Sequence, residues 1–166
     1  MKKLTLLLTF VCMAGIASAQ FELTPTGFID KNNKDKDYLV LEIAGKSKAD
    51  LYKSTLVYLN SLYSNAKDAI SKVDGESISV TALDDNTISP VFNKYTFSFE
   101  FKDGKIKVNQ PAYSLYFYPN GQISDYQLYT NKGKLRKEKE KDKLEAFYNG
   151  YIAIIKKNAE KKSEDW

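Results

Sequence analysis

Histidine is absent from the chain and its one cysteine is Cys12, so the commonest general base, the thiol nucleophile and the usual zinc ligands play no part beyond the first residues. Chemistry is left to carboxylates, lysine, serine and tyrosine. Ser64-Asn-Ala-Lys67 sets a hydroxyl and an amine at Ser-x-x-Lys spacing. The Ser-Asp-Asn and Lys-Thr-Gly motifs that complete that chemistry are missing, and the four residues read as the end of a helix. Asp30, Asn32, Asp35 and Asp37 offer the hard oxygens a calcium loop needs, but Asp35 stands where that loop requires Gly and Leu41 where it requires Glu. A solvated loop is the better reading, and Asp84-Asp85-Asn86 reads as a turn between strands. Glycoside hydrolysis needs two carboxyls about 5 to 10 Å apart, and spacing nominates no such pair. Neither a metal nor an organic cofactor is implied.

Residues 132–143 hold seven basic side chains, yet Glu138, Glu140 and Asp142 are interleaved among them. Glu138 with Lys141 and Glu140 with Lys143 fall at i,i+3, as on a solvated helix start. No nucleic-acid partner is expected. The aromatic side chains are more promising. Among 12 tyrosines, Tyr113, Tyr116, Tyr118, Tyr126 and Tyr129 crowd into one short stretch and form the candidate ligand-binding set. In a two-layer α+β domain helices cover one sheet face only. Tyr116 and Tyr118 are the pair expected to line the open face and receive a sugar, a peptide or a partner's edge. The competing reading is that tyrosine favours strands and packs at sheet margins.

The segments that must position these residues begin after a leader. Lys2 and Lys3 precede an apolar run over residues 4–17, which closes on Ala17-Ser18-Ala19, the small-x-small site of a secretory signal peptide. Residues 1–19 are therefore expected to be removed, leaving Gln20 first. The run is shorter than the about 20 apolar residues that cross a bilayer, so no membrane anchor is expected to be retained. The leader also takes Cys12, Lys2 and Lys3, leaving a chain without thiols and nearly balanced in charge. Periplasmic or secreted localisation follows, with stability resting on packing rather than disulfides.

Residues 20–37, rich in Lys, Asp, Asn, Pro and Gly, read as a flexible solvated arm, 38–160 as one α+β domain and 161–166 as a frayed tail, with fraying expected from Lys156. Residues 38–44 are β-forming and closed by Gly45. Ser47 with Asp50 caps a helix carrying Leu51, Tyr52, Leu56, Leu59, Leu62 and Tyr63 at helical spacing. A hairpin is expected around Asp74-Gly75. A two-residue loop pairs Ser71 with Ile78; a three-residue loop pairs Ile70 with Ile78 and Lys72 with Glu76, which hydrophobic matching favours.

Tyr95, Phe97, Phe99 and Phe101 alternate with polar residues before Asp103-Gly104. A two-residue turn there sets Phe101 opposite Ile106 and Phe99 opposite Val108, with Glu100 facing Lys107 on the other side. Residues 113–118 and 123–129 flank Pro119-Asn120-Gly121 as a third hairpin, in which Gly121 supplies positive φ. Leu144, Tyr148, Tyr151, Ile152 and Ile155 mark a closing helix, weakened at Gly150.

Strand, helix, hairpins and closing helix compose a single antiparallel sheet with both helices on one face. Tyr-Leu-Val-Leu-Glu-Ile-Ala-Gly-Lys-Ser-Lys-Ala-Asp-Leu-Tyr at 38–52 and Phe-Glu-Phe-Lys-Asp-Gly-Lys-Ile at 99–106 resemble an uncharacterised family of secreted Bacteroidetes domains of unknown function with a TATA-binding-protein-like fold. The resemblance spans roughly residues 38–113. It implies a curved sheet of plan β-α-β4-α, to which the third hairpin is an addition, and a Gram-negative envelope location. It implies no activity and carries over no functional residue. The expected function is an exported, non-catalytic domain binding a ligand or protein of the envelope through its sheet face. The alternatives are a carboxylate-dependent envelope hydrolase, recognisable by two converging acids with at least one strongly shifted, and a spacer domain.

Overall fold

The alternating strand is the axis of the molecule. The computed structural model describes residues 19–161; the leader up to residue 18, with Ala17 of the expected cleavage site, and residues 162–166 lie outside the described residues. In chain order the elements are β1 (Phe21–Thr24), β2 (Gly27–Asp30), β3 (Leu39–Glu42), α1 (Lys48–Leu62), α2 (Ala66–Ala69), β4 (Ile70–Val73), β5 (Ser77–Ile88), β6 (Val91–Lys102), β7 (Lys105–Val108), β8 (Ala112–Phe117), β9 (Ser124–Asp125) and α3 (Glu138–Glu160). Tyr95, Phe97, Phe99 and Phe101 of β6 are all buried. The expected register holds, with Phe99 opposite Val108, Glu100 opposite Lys107 and Phe101 opposite Ile106. A slip of one residue would turn every one of these rings to the other face.

The antiparallel sheet runs β3-β7-β6-β5-β4. β7 covers only the C-terminal third of one edge of β6, and β8 takes the N-terminal part of the same edge. The two long helices, α1 and α3, lie on the face to which the odd-numbered β6 side chains point. Tyr151 of α3 stacks on Phe97 at 4.4 Å between centroids, and Tyr52 of α1 meets Phe101 edge-on at 5.5 Å. α1 is capped as expected, the Ser47 hydroxyl accepting from the Asp50 amide. Its buried stripe is Leu51, Thr55 and Leu59, whereas Leu62, the last helical residue, is 44% exposed.

Several expectations are corrected. Within residues 20–37, expected as a solvated arm, β1 and β2 form a hairpin packed on the core. Phe21, Leu23 and Phe28 are buried, since a β1-β2 hairpin presents alternate residues to one side. α3 begins at Glu138 and continues to Glu160 rather than fraying from Lys156, because Ala159 extends the face of Leu144, Tyr148, Ile152 and Ile155 and is itself buried. The β4-β5 register is neither of the two weighed. Ile70 pairs with Val80 and Val73 with Ser77, so Asp74-Gly75-Glu76 form the loop and Ile70 still meets an apolar partner. Asp84-Asp85-Asn86 form an irregularity inside β5, between the paired residues Asp84 and Ile88, rather than a turn between strands. In the third hairpin the second strand shrinks to Ser124 and Asp125, and Asn120 takes positive φ at 54°. Asn tolerates that region better than most side-chain-bearing residues.

Candidate functional site

Parity along β6 decides what each face offers. Odd residues go to the helices, so Phe92, Lys94, Thr96, Ser98, Glu100 and Lys102 line the uncovered face. Across the ladder Phe92 is directly opposite Tyr116, and their rings stack with centroids 5.6 Å apart and planes at 14°. Tyr118 closes the group, its ring edge-on to Phe92 at 5.1 Å and to Tyr116 at 5.8 Å. Three aromatic rings thus stand together on the open face, with Tyr118 47% exposed. Desolvation, and then the Tyr118 phenol beside it, push the Tyr116 hydroxyl up, so it stays a neutral donor and acceptor at ordinary pH.

The rest of the face is polar. Ser79 and Ser98 hydroxyls meet at 2.8 Å and those of Thr81 and Thr96 at 2.9 Å, a ladder of cross-strand pairs beside the rings. Farther along, Asn109 donates to Glu100 at 2.8 Å and Lys107 approaches the same carboxylate at 3.4 Å. The Asn109 hydrogen bond first, then Lys107, hold the Glu100 carboxyl below the usual range. An open concavity of about 870 Å³ lies over Ser77, Ser79, Ser98, Glu100, Lys102 and Asn109.

Of the five tyrosines in the candidate set, only Tyr116 and Tyr118 reach this face. Tyr113 pairs with Tyr95 on the helix side and packs on Phe28 at 5.7 Å. Tyr126 donates to Glu140 and lies under the Lys137 ammonium at 5.5 Å. Tyr129 donates to the Leu23 carbonyl at 2.9 Å, tying the loop after β9 to β1. These three are engaged with the scaffold, away from the open face. Phe92 lies before the aromatic-polar alternation that begins at Tyr95; extending that parity back three residues puts Phe92 on the open side.

The remaining motifs dissolve into local structure. Ser64 follows the α1 C-cap Tyr63, and Lys67 lies in the one-turn α2. The Asp30 carboxylate accepts from Asn32 N at 2.8 Å and Asn33 from Asp35 N at 3.2 Å. Asp84 accepts from Asn86 N and Thr87 N. The basic stretch pairs as Lys137 with Glu140 at 3.1 Å, an i,i+3 pair, and Lys141 with Glu145 at 2.7 Å, an i,i+4 pair, with partners other than those expected, Glu138 with Lys141 and Glu140 with Lys143. Among the described residues no helix is long and apolar enough to cross a membrane.

With the geometry in view, the chain can be set beside solved structures. A TBP-like protein from Parabacteroides distasonis superposes with TM-score 0.60 at 14% identity, over 76% of this chain and 92% of that one. The fold is TATA-binding-protein-like. A DUF4468 family protein from Bacteroides ovatus superposes at TM-score 0.50 and 14% identity, over 78% of this chain and 90% of its own. No family model and no curated protein matches the chain. The TBP-like plan β-α-β4-α is carried by β3, α1, β4 to β7 and α3. This bears out the fold class that the sequence resemblance implied, with two added hairpins, β1-β2 and β8-β9, instead of one. The β8-β9 addition carries the aromatic group.

Proposed function

We propose that this TBP-like protein is an exported, non-catalytic binding domain whose ligand rests on the uncovered sheet face against Phe92, Tyr116 and Tyr118. The observation that carries the reading is this ring cluster on a face the helices leave free. Large apolar side chains gathered on a free surface mark contact sites more often than scattered ones do. A stable protein partner buries about 1,200 to 2,000 Å² around an apolar centre. Three rings bordered by Lys94, Ser114 and the hydroxyl ladder make a smaller subsite. Its flat apolar rings and adjoining hydroxyls suit a saccharide, which presents C–H faces and hydroxyls together.

The hydrolase alternative has less support. A general acid needs a carboxyl pushed up towards neutrality, whereas the shifted carboxyls, Asp50, Asp74 and Glu100, are all lowered by hydrogen bonds. Export is supported by the basic, apolar and small-residue grammar of residues 1–19.

Affinity electrophoresis through gels holding soluble neutral or acidic polysaccharides tests the site. The wild-type protein is expected to be retarded in at least one gel, and a Tyr116→Ser, Tyr118→Ser variant with unchanged Tm is not. Equal mobility of the two proteins in every gel overturns the reading.

A further inference from the structure

We infer that the mature N-terminus is a modification site at which Gln20 closes to a pyroglutamyl lactam. The inference rests on cleavage after Ala19. Gln20 would then carry a free α-amine within reach of its own side-chain amide. The amine nitrogen attacks Cδ, a C–N bond forms to close the ring, the bond from Cδ to Nε2 breaks, and that nitrogen leaves as ammonia. No oxidant or other co-reactant is needed.

The fold leaves both reacting groups free and anchors everything after them. Among the described residues neither the Gln20 amide nitrogen nor its side chain makes a hydrogen bond, while its carbonyl accepts from Lys31 N at 2.9 Å. That carbonyl survives in the lactam. The next residue is held rigidly, Phe21 N donating to Asn149 Oδ1 at 2.8 Å with the Phe21 side chain fully buried. Ring closure therefore costs no contact of the folded protein.

The surroundings favour the uncharged product. Gln20 lies in a groove of about 220 Å³ that also contains Lys156, Lys157 and Glu160. A retained α-ammonium would be a third cation beside one carboxylate, whereas the lactam is neutral. Ala19 lines the same groove, and its departure with the leader leaves room for the ring. The block also protects the core. An aminopeptidase that removed residue 20 would next reach Phe21, whose burial holds β1 in place.

The test is the intact mass and N-terminal sequence of the protein exported by a Gram-negative host from the full chain. The expected mass is that of a chain starting at Gln20 less one ammonia. No residue should be released by Edman chemistry until pyroglutamyl peptidase exposes Phe21. A chain starting at Gln20 with a readable free amine after prolonged storage at neutral pH overturns the lactam while leaving the export reading intact. A mass retaining residues 1–19, or cut elsewhere, overturns the cleavage site and the lactam with it. In Gln20→Ala the N-terminus should read at once and aminopeptidase should trim it, whereas the wild type resists; equal trimming of both counts against the block.

Discussion

The Asn149 carboxamide grips the backbone of Phe21 from both sides, Oδ1 accepting from its N–H at 2.8 Å and Nδ2 donating to its carbonyl at 2.9 Å. A side chain of α3 thereby completes the outer edge of β1 as a neighbouring strand would, and Glu145 continues the pairing one pleat on by accepting from Leu23 N at 2.7 Å. The N-terminal hairpin is in this way part of the helix layer.

Asn149→Ala leaves both Phe21 groups without partners. Stranding partly buried backbone groups costs about 1 to 3 kcal/mol. Urea unfolding should show that loss, and hydrogen exchange should place the loosened amides in β1 and β2. An unchanged midpoint would remove the clamp from the account of stability.

Gly150 lies within α3, is exposed, and an added Cβ would meet nothing within 4 Å. Gly150→Ala should therefore stabilise by about 1 kcal/mol. The check is a thermal melt at matched concentration, in which Tm rises by several degrees for a domain of this size.

The Thr55 hydroxyl is buried on the inner face of α1 without a hydrogen-bond partner among the described residues. Thr55→Val keeps the branched shape and removes the unpaired group, for an expected gain of about 1 kcal/mol. A loss in denaturant titration would mean that the hydroxyl is satisfied after all.

Burial is the largest cause that pushes the phenols of Tyr63, Tyr95, Tyr148 and Tyr151 above their ordinary value. Tyr63 shares its hydroxyl with Tyr95 at 3.2 Å and with Tyr151 at 2.9 Å. Above pH of about 10 the unfolded chain releases protons that the folded one retains, so stability present below that pH is lost as pH rises further. Tyrosinate absorbance should climb in two stages, exposed rings first and these four only as the protein unfolds. A single stage with the fold intact would contradict their burial.

Site and scaffold tyrosines should separate cleanly. Tyr129→Phe deletes one hydrogen bond to Leu23 and is expected to cost about 1 kcal/mol without altering polysaccharide retardation. Phe92→Ala should abolish retardation at near-normal Tm. The opposite pattern would move the site off the open face.

Local signals carried much of the architecture. Alternation from Tyr95 to Phe101 before Asp103-Gly104 specified a hairpin, its register and its buried face together, because a two-residue turn leaves the pleat no freedom. Ser47 and Asp50 marked the start of α1 for a similarly local reason, a hydroxyl meeting a first-turn amide. Chemistry was bounded equally early, since a chain without histidine lacks that base in any fold.

What the linear order could not determine was partnership across distance. Polar composition hid the burial of Phe21, Leu23 and Phe28, which depends on α3 supplying Asn149 and Glu145 from more than a hundred residues away. The pairing of β8 with β6, past the intervening β7, brought Tyr116 beside Phe92 and sent Tyr113 to the core. Residue types and periods establish which side chains share a face of their own strand. Which strand lies alongside, and so which rings meet, is decided only when the chain closes on itself and the least costly burial of all elements is found at once.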